Sequence, residues 1–247
     1  MGKKKNRGNP QSLAIFDGFA ELVADSIAKQ LQERKTALQE KERKAALQEK
    51  VMTEFESSLI QGISQLLVKG DYADITIHLG HIRLPAHGLI LALQSPYFKK
   101  SLYGDFVEGR TKEFFYNEHL HAHWRVIEYM YTGTYSDDIV ELGGIQDDDE
   151  LMRPVRLYGL ADYFCIDGLK KYALGRLQTL LIQTREGFTD CVRGIYRLHA
   201  GPGNEMRALA VGVAYRHLRE LMKEERFRDL VHDGGDFTVE LFAKVAL

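Results

Sequence analysis

Asp74 and His87 are the first residues of this 247-residue chain whose types and placement could do chemistry. They lie in the segment "DYADITIHLGHIRLPAHGLILALQ", which spans residues 71 to 94. A carboxylate and an imidazole held together can act as a general acid and base, or can ligate a metal ion. The same residues can instead be structural, if the imidazole bonds to the backbone at a strand-to-helix turn and the carboxylate holds neighbouring amides.

A second histidine group, "HLHAH", contains His119, His121 and His123. On a strand, alternate residues share a face, and on a helix His119 and His123 would be neighbours. Either arrangement could contribute ligands to zinc, which needs four in a structural site. No cysteine pair lies nearby to complete the set. We therefore predict the exposed polar start of a helix and no metal site.

Signals of nucleophilic catalysis and of phosphate binding are missing from the sequence. There is no Gly-x-Ser-x-Gly motif, no Cys-His pair at a known spacing and no glycine-rich phosphate loop. Cys165 and Cys191 lie in apolar helical runs and are predicted to be core thiols. We therefore predict no enzyme, no catalytic residue, no cofactor and no small-molecule substrate.

The composition restricts the classes of partner and the compartment. The net charge is −2, from 33 Lys and Arg against 35 Asp and Glu, which argues against nucleic-acid binding. No run of 18 apolar residues is present, so no membrane span is predicted. Two cysteines in a chain of this length indicate a reduced, intracellular protein, in the nucleus or the cytoplasm. The basic start "MGKKKNRGNP" is predicted to be disordered.

Residues 11 to 66 are predicted to be helical almost throughout. A seven-residue repeat of apolar residues runs along this helix: Leu31, Leu38, Ala45, Met52, Leu59 and Leu66. The second seam position of a coiled coil is polar, with Arg34, Lys41 and Gln48. Because only half of the seam is apolar, the pattern favours a solvated single helix over a coiled coil. Apolar density rises after Phe55, and Gly70 is predicted to end the helix.

The period then changes from helical to alternating. "ADITIHLG" places apolar residues on one face of a half-buried strand, and "IRLPA" and "KEFFYN" are further strand candidates. "HGLILALQ" is a helix of about two turns, and Ser95 with Pro96 is predicted to begin the next helix. "AHWRVIEYMYTGTY" is an amphipathic helix ended by Gly133.

After residue 151 the chain is predicted to be helical to its end. Asp167 is a candidate N-cap for one helix, and Thr189 or Asp190 for the next. Four acidic residues at 147 to 150 suit the electrostatics of a helix N-terminus, and we assign them to the helix that follows them.

These elements together resemble the BTB/POZ family, and in particular its fungal members. The residues that carry the resemblance are "YADITI", "LPAHGLILALQSPYF", "VIEYMYTGTY" and "LYGLADYFCIDGLKKYA". The resemblance implies an α+β fold, in which a short mixed sheet is flanked by helical hairpins. It divides the chain into a basic start and long charged helix at 1–54, a BTB/POZ domain at 55–174 and a C-terminal helical extension at 175–247.

The resemblance also bears on the chemistry-bearing residues. At positions that match the family's motifs it implies structural roles for Asp74, His87, Ser95, Tyr131 and Gly133, and it favours the structural interpretation of the Asp74 and His87 segment. It implies a non-enzymatic protein–protein interaction module, since family members bind protein partners.

Many members of the family dimerise, and in many of these the helix before the first strand packs across the partner. The resemblance therefore makes Phe55, Leu59, Ile63 and Leu66 candidates for a homodimer interface. Packing of these four side chains within their own chain is the equal alternative.

Some members of the family bind the cullin scaffold of ubiquitin ligases as substrate adaptors, through a hydrophobic-x-Glu motif. "DFVEG" places Phe106 and Glu108 at the matching position. An exposed aromatic side chain can anchor in a groove while a carboxylate fixes the register. The alternatives to a general interaction module are therefore a cullin adaptor, and a transcription or chromatin assembly factor that does not read DNA directly.

Overall fold

The computed structural model describes residues 10–138, 142–183, 187–198 and 204–246, with the side chains of 10–31, 33, 37, 182 and 183 left undescribed. Of the start predicted to be disordered, residues 1–10, the first nine lie outside this range, and Pro10 is the first residue of a helix. The chain divides into two compact units, Met1–Leu59 and Ile60–Leu247. In the first unit the only element described is a helix.

The described residues form twelve helices and three strands. In chain order these are α1 (Pro10–Lys69), β1 (Ile75–Leu79), β2 (Ile82–Ala86), α2 (Gly88–Gln94), α3 (Pro96–Tyr103), α4 (Val107–Thr111), β3 (Glu113–Tyr116), α5 (Leu120–Thr132), α6 (Met152–Tyr163), α7 (Asp167–Gln183), α8 (Phe188–Leu198), α9 (Glu205–Arg216), α10 (Leu218–Leu221), α11 (Glu225–Asp233) and α12 (Asp236–Val245). This content confirms the predicted α+β fold with a long N-terminal helix and a helical extension.

The three strands form one mixed sheet in the order β2-β1-β3. Strand β1 pairs antiparallel with β2 and parallel with β3. The side chains of Ile75, Ile77 and Leu79 are buried, whereas those of Thr76 and His78 are only half-buried. This alternation is the one predicted from the sequence, because successive side chains of a strand point to opposite faces.

Ser95 joins two helical hairpins. Its hydroxyl accepts a hydrogen bond from the Phe98 amide at 3.2 Å, and so caps α3. The same hydroxyl donates to the carbonyl oxygen of Phe164 at 2.6 Å, in the turn between α6 and α7. The rings of Phe98 and Phe164 stack with their centroids 5.1 Å apart. One buried serine therefore fixes the α2–α3 hairpin against the α6–α7 hairpin.

The C-terminal helices share the hydrophobic core of the second unit. Buried side chains from β1, from α5 to α9 and from α12 belong to one apolar cluster. Helix α6 packs on α7 and α8, and α7 packs on α9. The domain boundary predicted at residue 174 falls within α7. The extension is therefore packed on the preceding helices, because its apolar faces continue the same core.

Three predicted helix caps are wrong. Asp167 is the first residue of α7, and the carbonyl of Ile166 accepts the first hydrogen bond from Lys170. Thr189 and Asp190 lie inside the first turn of α8, because the Cys191 amide bonds to the carbonyl of Gly187. In both cases the helix begins before the polar residue that sequence preference selects.

The prediction of two core thiols is correct for Cys191 and wrong for Cys165. Cys191 is buried in α8, and burial raises the pKa of its thiol to about 12. Cys165 is exposed and has a left-handed backbone with φ of 56°. It lies in the turn between α6 and α7, where the neighbouring Phe164 and Ile166 are buried in its place.

No helix in the described part of the chain is long and apolar enough to cross a membrane.

Candidate functional site

His87 and Tyr131 close a buried hydrogen-bonded ring at the start of α2. The His87 amide donates to the Tyr131 hydroxyl at 2.8 Å, and His87 Nδ1 lies 2.7 Å from the same oxygen. His87 Nε2 lies 2.6 Å from the carbonyl oxygen of Asp71, which can only accept. Nε2 therefore carries the proton, and Tyr131 donates its own proton to Nδ1. Burial raises the pKa of the Tyr131 hydroxyl to about 12, so it stays protonated at neutral pH.

Asp74 is directed to a different partner. Its Oδ1 accepts a hydrogen bond from the Gly88 amide at 2.6 Å, at the N-terminus of α2. A β-carbon added at Gly88 would stand 3.3 Å from Asp74 Oδ2, so the carboxylate and the backbone are in close contact. The His87 ring and the Asp74 carboxylate thus each hold a backbone group, an arrangement that anchors the turn between β2 and α2. Gly133 ends α5 two residues after Tyr131, in the left-handed conformation with φ of 74°.

The three histidines of "HLHAH" lie in three different environments. His119 is exposed and precedes α5, whereas His121 is buried and its Nδ1 contacts the carboxylate of Asp147. The His123 ring stacks on Tyr116 with centroids 4.3 Å apart. Burial lowers the pKa of His123. The predicted exposed helix start is therefore wrong for His121, and within the described residues no group of three or more His, Cys, Asp or Glu could hold a metal ion.

Asp147 caps α5 from a distance in the sequence. Its carboxylate accepts hydrogen bonds from the amides of Leu120, at 2.6 Å, and His121, at 3.4 Å. The sequence prediction assigned this acidic run to the helix that follows it, and Asp149 does accept from the first amides of α6. The assignment is wrong for Asp147. The α5–α6 connection places its carboxylate at the N-terminus of α5, where the first amides have no partner within the helix.

Asp148 is the centre of an ionic cluster that the sequence prediction missed. It accepts two hydrogen bonds from Arg125 and two from Arg153, at 2.7 to 3.2 Å. Arg125 also donates to the carbonyl oxygens of Ser136 and Asp138. The sequence signal for this cluster was Arg125, a single arginine within the amphipathic helix. The cluster fastens the α5–α6 connection to the core.

Phe106 and Glu108 lie on a tight turn at the surface of the second unit. Phe106 is the N-cap residue of α4, and its side chain is 46% exposed. Val107, the next residue, is 63% exposed, and Glu108 is half-buried in the first turn. The Lys100 ammonium lies 5.8 Å from the centroid of the Phe106 ring. An aromatic side chain, an aliphatic side chain and a carboxylate are therefore presented side by side.

Two glycines allow close backbone packing in this turn. A β-carbon at Gly104 would stand 2.5 Å from the carbonyl oxygen of Lys100, and one at Gly109 would stand 3.1 Å from three backbone oxygens. The Gly109 amide donates to the carbonyl of Phe106 at 3.2 Å. The backbone segments of the turn thus approach each other as closely as glycine allows.

The four candidate interface residues of α1 differ in their surroundings. Ile63 and Leu66 are partly buried and pack against the core of the second unit. Phe55 and Leu59 belong to the first unit and are exposed. The structure therefore places two of the four against their own chain and leaves the other two open to solvent.

Comparison with known proteins adds to this geometry. The family model described as BTB/POZ domain matches residues 63–178. Kelch-like protein 28 of Homo sapiens is 36% identical over 86 residues, which cover 34% of this chain and 15% of the human protein. BTB/POZ domain-containing protein 9 of Drosophila melanogaster is 33% identical over 72 residues, 29% of this chain and 10% of the fly protein. The chain thus spans only a small part of the length of these relatives.

Proposed function

We propose, because the BTB/POZ family model matches residues 63–178, that these residues form a BTB/POZ domain and that the chain is a non-enzymatic protein–protein interaction module that docks a protein partner. Since one fold can serve many functions, the proposal depends on a surface and not on the fold alone. The observation that carries it is the exposed pair Phe106 and Val107 beside Glu108, on a turn held by close backbone packing.

The physical argument concerns what such a turn can do at an interface. Aromatic side chains contribute most of the energy when they fill a pocket on a partner, and flanking charges fix orientation. A turn held by close backbone packing has little conformational entropy to lose on binding. Phe106 is therefore proposed as the anchor and Glu108 as the residue that sets the register.

The experiment compares affinity purifications of three tagged forms of the full chain: the native sequence, Phe106→Ala and a control, Val239→Ala. Val239 is an exposed apolar residue on α12, 68% exposed against 46% for Phe106. A partner is expected to be recovered with the native and control chains and lost with Phe106→Ala, and then to bind directly once both proteins are purified. Equal recovery of every partner by all three forms would reject this surface.

A cullin scaffold is the second candidate partner, and the spacing of Phe106 and Glu108 favours it. The test is a titration of the purified N-terminal domain of the cullin that BTB adaptors bind. Phe106→Ala is expected to weaken binding by about tenfold or more. Glu108→Gln is expected to weaken it by a smaller factor, because a charge that keeps contact with solvent contributes about 1 kcal/mol or less. Absence of binding by the native chain would exclude the adaptor role and leave the general docking proposal standing.

We propose Asp74, His87, Ser95, Tyr131 and Gly133 as the scaffold that holds the domain. The hydrogen bonds of the first four side chains to backbone or to each other support this, as does the left-handed backbone of Gly133. Substitutions at these residues should lower the folding stability of the chain. They should leave the affinity of the folded fraction for its protein partner unchanged.

We also propose the division into 1–54, 55–174 and 175–247, an intracellular location in the nucleus or the cytoplasm, and the fungal type of BTB protein. Two free cysteines support the location. The helices α8 to α12 support the type, because this part of the sequence resembles the helical extension that follows many fungal BTB domains. Limited proteolysis tests the division, and a fluorescent fusion tests the location.

A further inference from the structure

The two outer strands of the sheet differ in how their free edges are protected. β2 contains Pro85, which has no backbone N–H to offer a further strand, and Arg83, a charged side chain that is 69% exposed. Proline and exposed charge are among the features that keep an edge strand from pairing. β3 contains no proline, and in the described part of the chain it pairs with β1 alone. The other edge of β3 is therefore open to a further strand.

The backbone of β3 directs alternate residues to its two sides. The carbonyl oxygens of Lys112 and Tyr116 accept hydrogen bonds on the β1 side, at 2.9 and 2.8 Å. Because alternate residues of a strand direct their backbone groups to the same side, Phe114 also faces β1, whereas Glu113 and Phe115 face the open edge. The Glu113 carbonyl and both backbone groups of Phe115 have no hydrogen-bond partner among the described residues. An extended segment is the class of ligand whose backbone can bond to such a row of groups.

The side chains at this edge suit an added strand. Phe115 is 61% exposed, and its ring stacks on His78 of β1 with the centroids 4.2 Å apart. This contact holds the ring where a side chain of an added strand would lie beside it. The Glu113 carboxylate is turned to its own sheet, 3.5 Å from His78 and 3.8 Å from Arg83. Its charge therefore does not block the edge.

We propose that the open edge of β3 binds an extended segment of a protein partner, which adds a fourth strand to the sheet and sets an apolar side chain beside Phe115. This inference rests on the proposed docking function and names the conformation of the docked segment. α4 ends at Thr111 and β3 begins at Glu113, so the edge continues directly from the turn that carries Phe106. One partner can therefore contact both.

The first test is amide hydrogen exchange of the full chain, resolved by residue. The Phe115 amide should exchange faster than the Phe114 amide by about tenfold or more, since only residue 114 faces β1. Phe114 is the control, because it lies in the same strand. Equal protection of the two amides would mean that the edge is already covered in the free chain, and would overturn the proposal.

The second test is an NMR titration of the full chain with a synthetic peptide, Lys-Thr-Val-Thr-Val-Thr-Lys with blocked ends. We expect the peptide to shift the signals of residues 113–117 and to slow exchange of the Phe115 amide. The control is the same peptide with N-methyl groups on every internal amide, which keeps the side chains and removes the backbone donors. It should not bind. Equal binding of both peptides, or no binding of either, would contradict strand addition.

Variants of the chain separate this edge from the Phe106 turn. Phe115→Pro removes the amide that faces the open edge and should abolish peptide binding, and urea unfolding checks that the variant folds. Phe115→Ala keeps the backbone and should weaken binding by a factor of about two to five, the size of a cross-strand contact. Val239→Ala is the control and should bind as the native chain does.

The same variants distinguish failure of this inference from failure of the docking function. Phe106→Ala should bind the peptide as the native chain does. A folded Phe115→Pro chain that still binds the peptide, or a Phe115→Ala chain with native affinity, would overturn strand addition at β3. A partner whose recovery depends on Phe106 but not on Phe115 would also overturn it, and would leave the docking function standing.

Discussion

Arg125 donates two hydrogen bonds to the carboxylate of Asp148, at 3.0 and 2.7 Å, although the arginine is fully buried. A charge removed from water is tolerated only when it is paired and its remaining donors are satisfied. Asp148 supplies the charge, and the carbonyl oxygens of Ser136 and Asp138 accept two more N–H groups of Arg125. The pair therefore fixes the connection between α5 and α6 against the body of the domain.

Replacing Asp148 with Asn should destabilise the fold strongly. The change leaves Arg125 and Arg153 without their shared carboxylate, and breaking a buried ion pair from one side costs about 3–5 kcal/mol. The measurement is the free energy of unfolding by urea. Asp229→Asn, which removes an exposed carboxylate from α11, is the control and should change stability by about 0.5 kcal/mol or less. Similar losses in the two variants would disprove the role of the cluster.

The same cluster predicts a pH dependence. Burial raises the pKa of the Asp148 carboxyl, but hydrogen bonds from Arg153 and the charge of Arg125 outweigh burial, and the folded pKa lies below its ordinary value of 3.8. The stability that Asp148 contributes is thus present above about pH 4 and is lost as the pH falls through the folded pKa. Urea unfolding at a series of acidic pH values should show a steeper loss in the native chain than in Asp148→Asn. Parallel curves would contradict the lowered pKa.

Tyr131→Phe should destabilise the turn between β2 and α2. The change removes the hydroxyl that binds both the amide and the ring of His87. Buried polar groups left without partners cost about 1–3 kcal/mol, and urea unfolding measures the loss. Tyr215→Phe, on the exposed side of α9, serves as the control. The prediction fails if the two variants are equally stable.

Gly109→Ala should destabilise the turn that presents Phe106, because the new β-carbon would stand 3.1 Å from the carbonyl oxygens of Ser101, Leu102 and Gly104. Added volume at a packed position costs about 1–3 kcal/mol. Gly212→Ala in α9 meets nothing within 4 Å and should stabilise the chain by about 0.5–1 kcal/mol. Thermal unfolding of both variants checks the contrast, and equal shifts in the same direction would refute it.

Phe106→Ala should leave the stability of the chain nearly unchanged. The side chain is 46% exposed at the surface of the second unit, and surface substitutions alter stability by about 0.5 kcal/mol or less. Urea unfolding therefore separates a loss of partner binding from a loss of folding. A large loss of stability would mean that Phe106 supports the α4 turn itself.

Local sequence patterns were sufficient to predict the elements whose formation depends on residues nearby in the sequence. The alternation of Ile75, Ile77 and Leu79 predicted β1, and Gly133 predicted the end of α5. The Ser95–Pro96 pair predicted the start of α3. Each of these signals acts within a few residues, through the periodicity of a strand or the backbone freedom of a cap.

The sequence by itself thus determined the elements, their order and the α+β class, because apolar periodicity and caps are local properties. Only the tertiary structure decided that Asp147 caps α5, that His121 is buried and that Arg125 meets Asp148. These contacts join residues more than twenty positions apart, and their partners are chosen by how the helices pack. The same holds for exposure, since the sequence of α1 does not reveal that Phe55 stays open to solvent while Ile63 packs against the core.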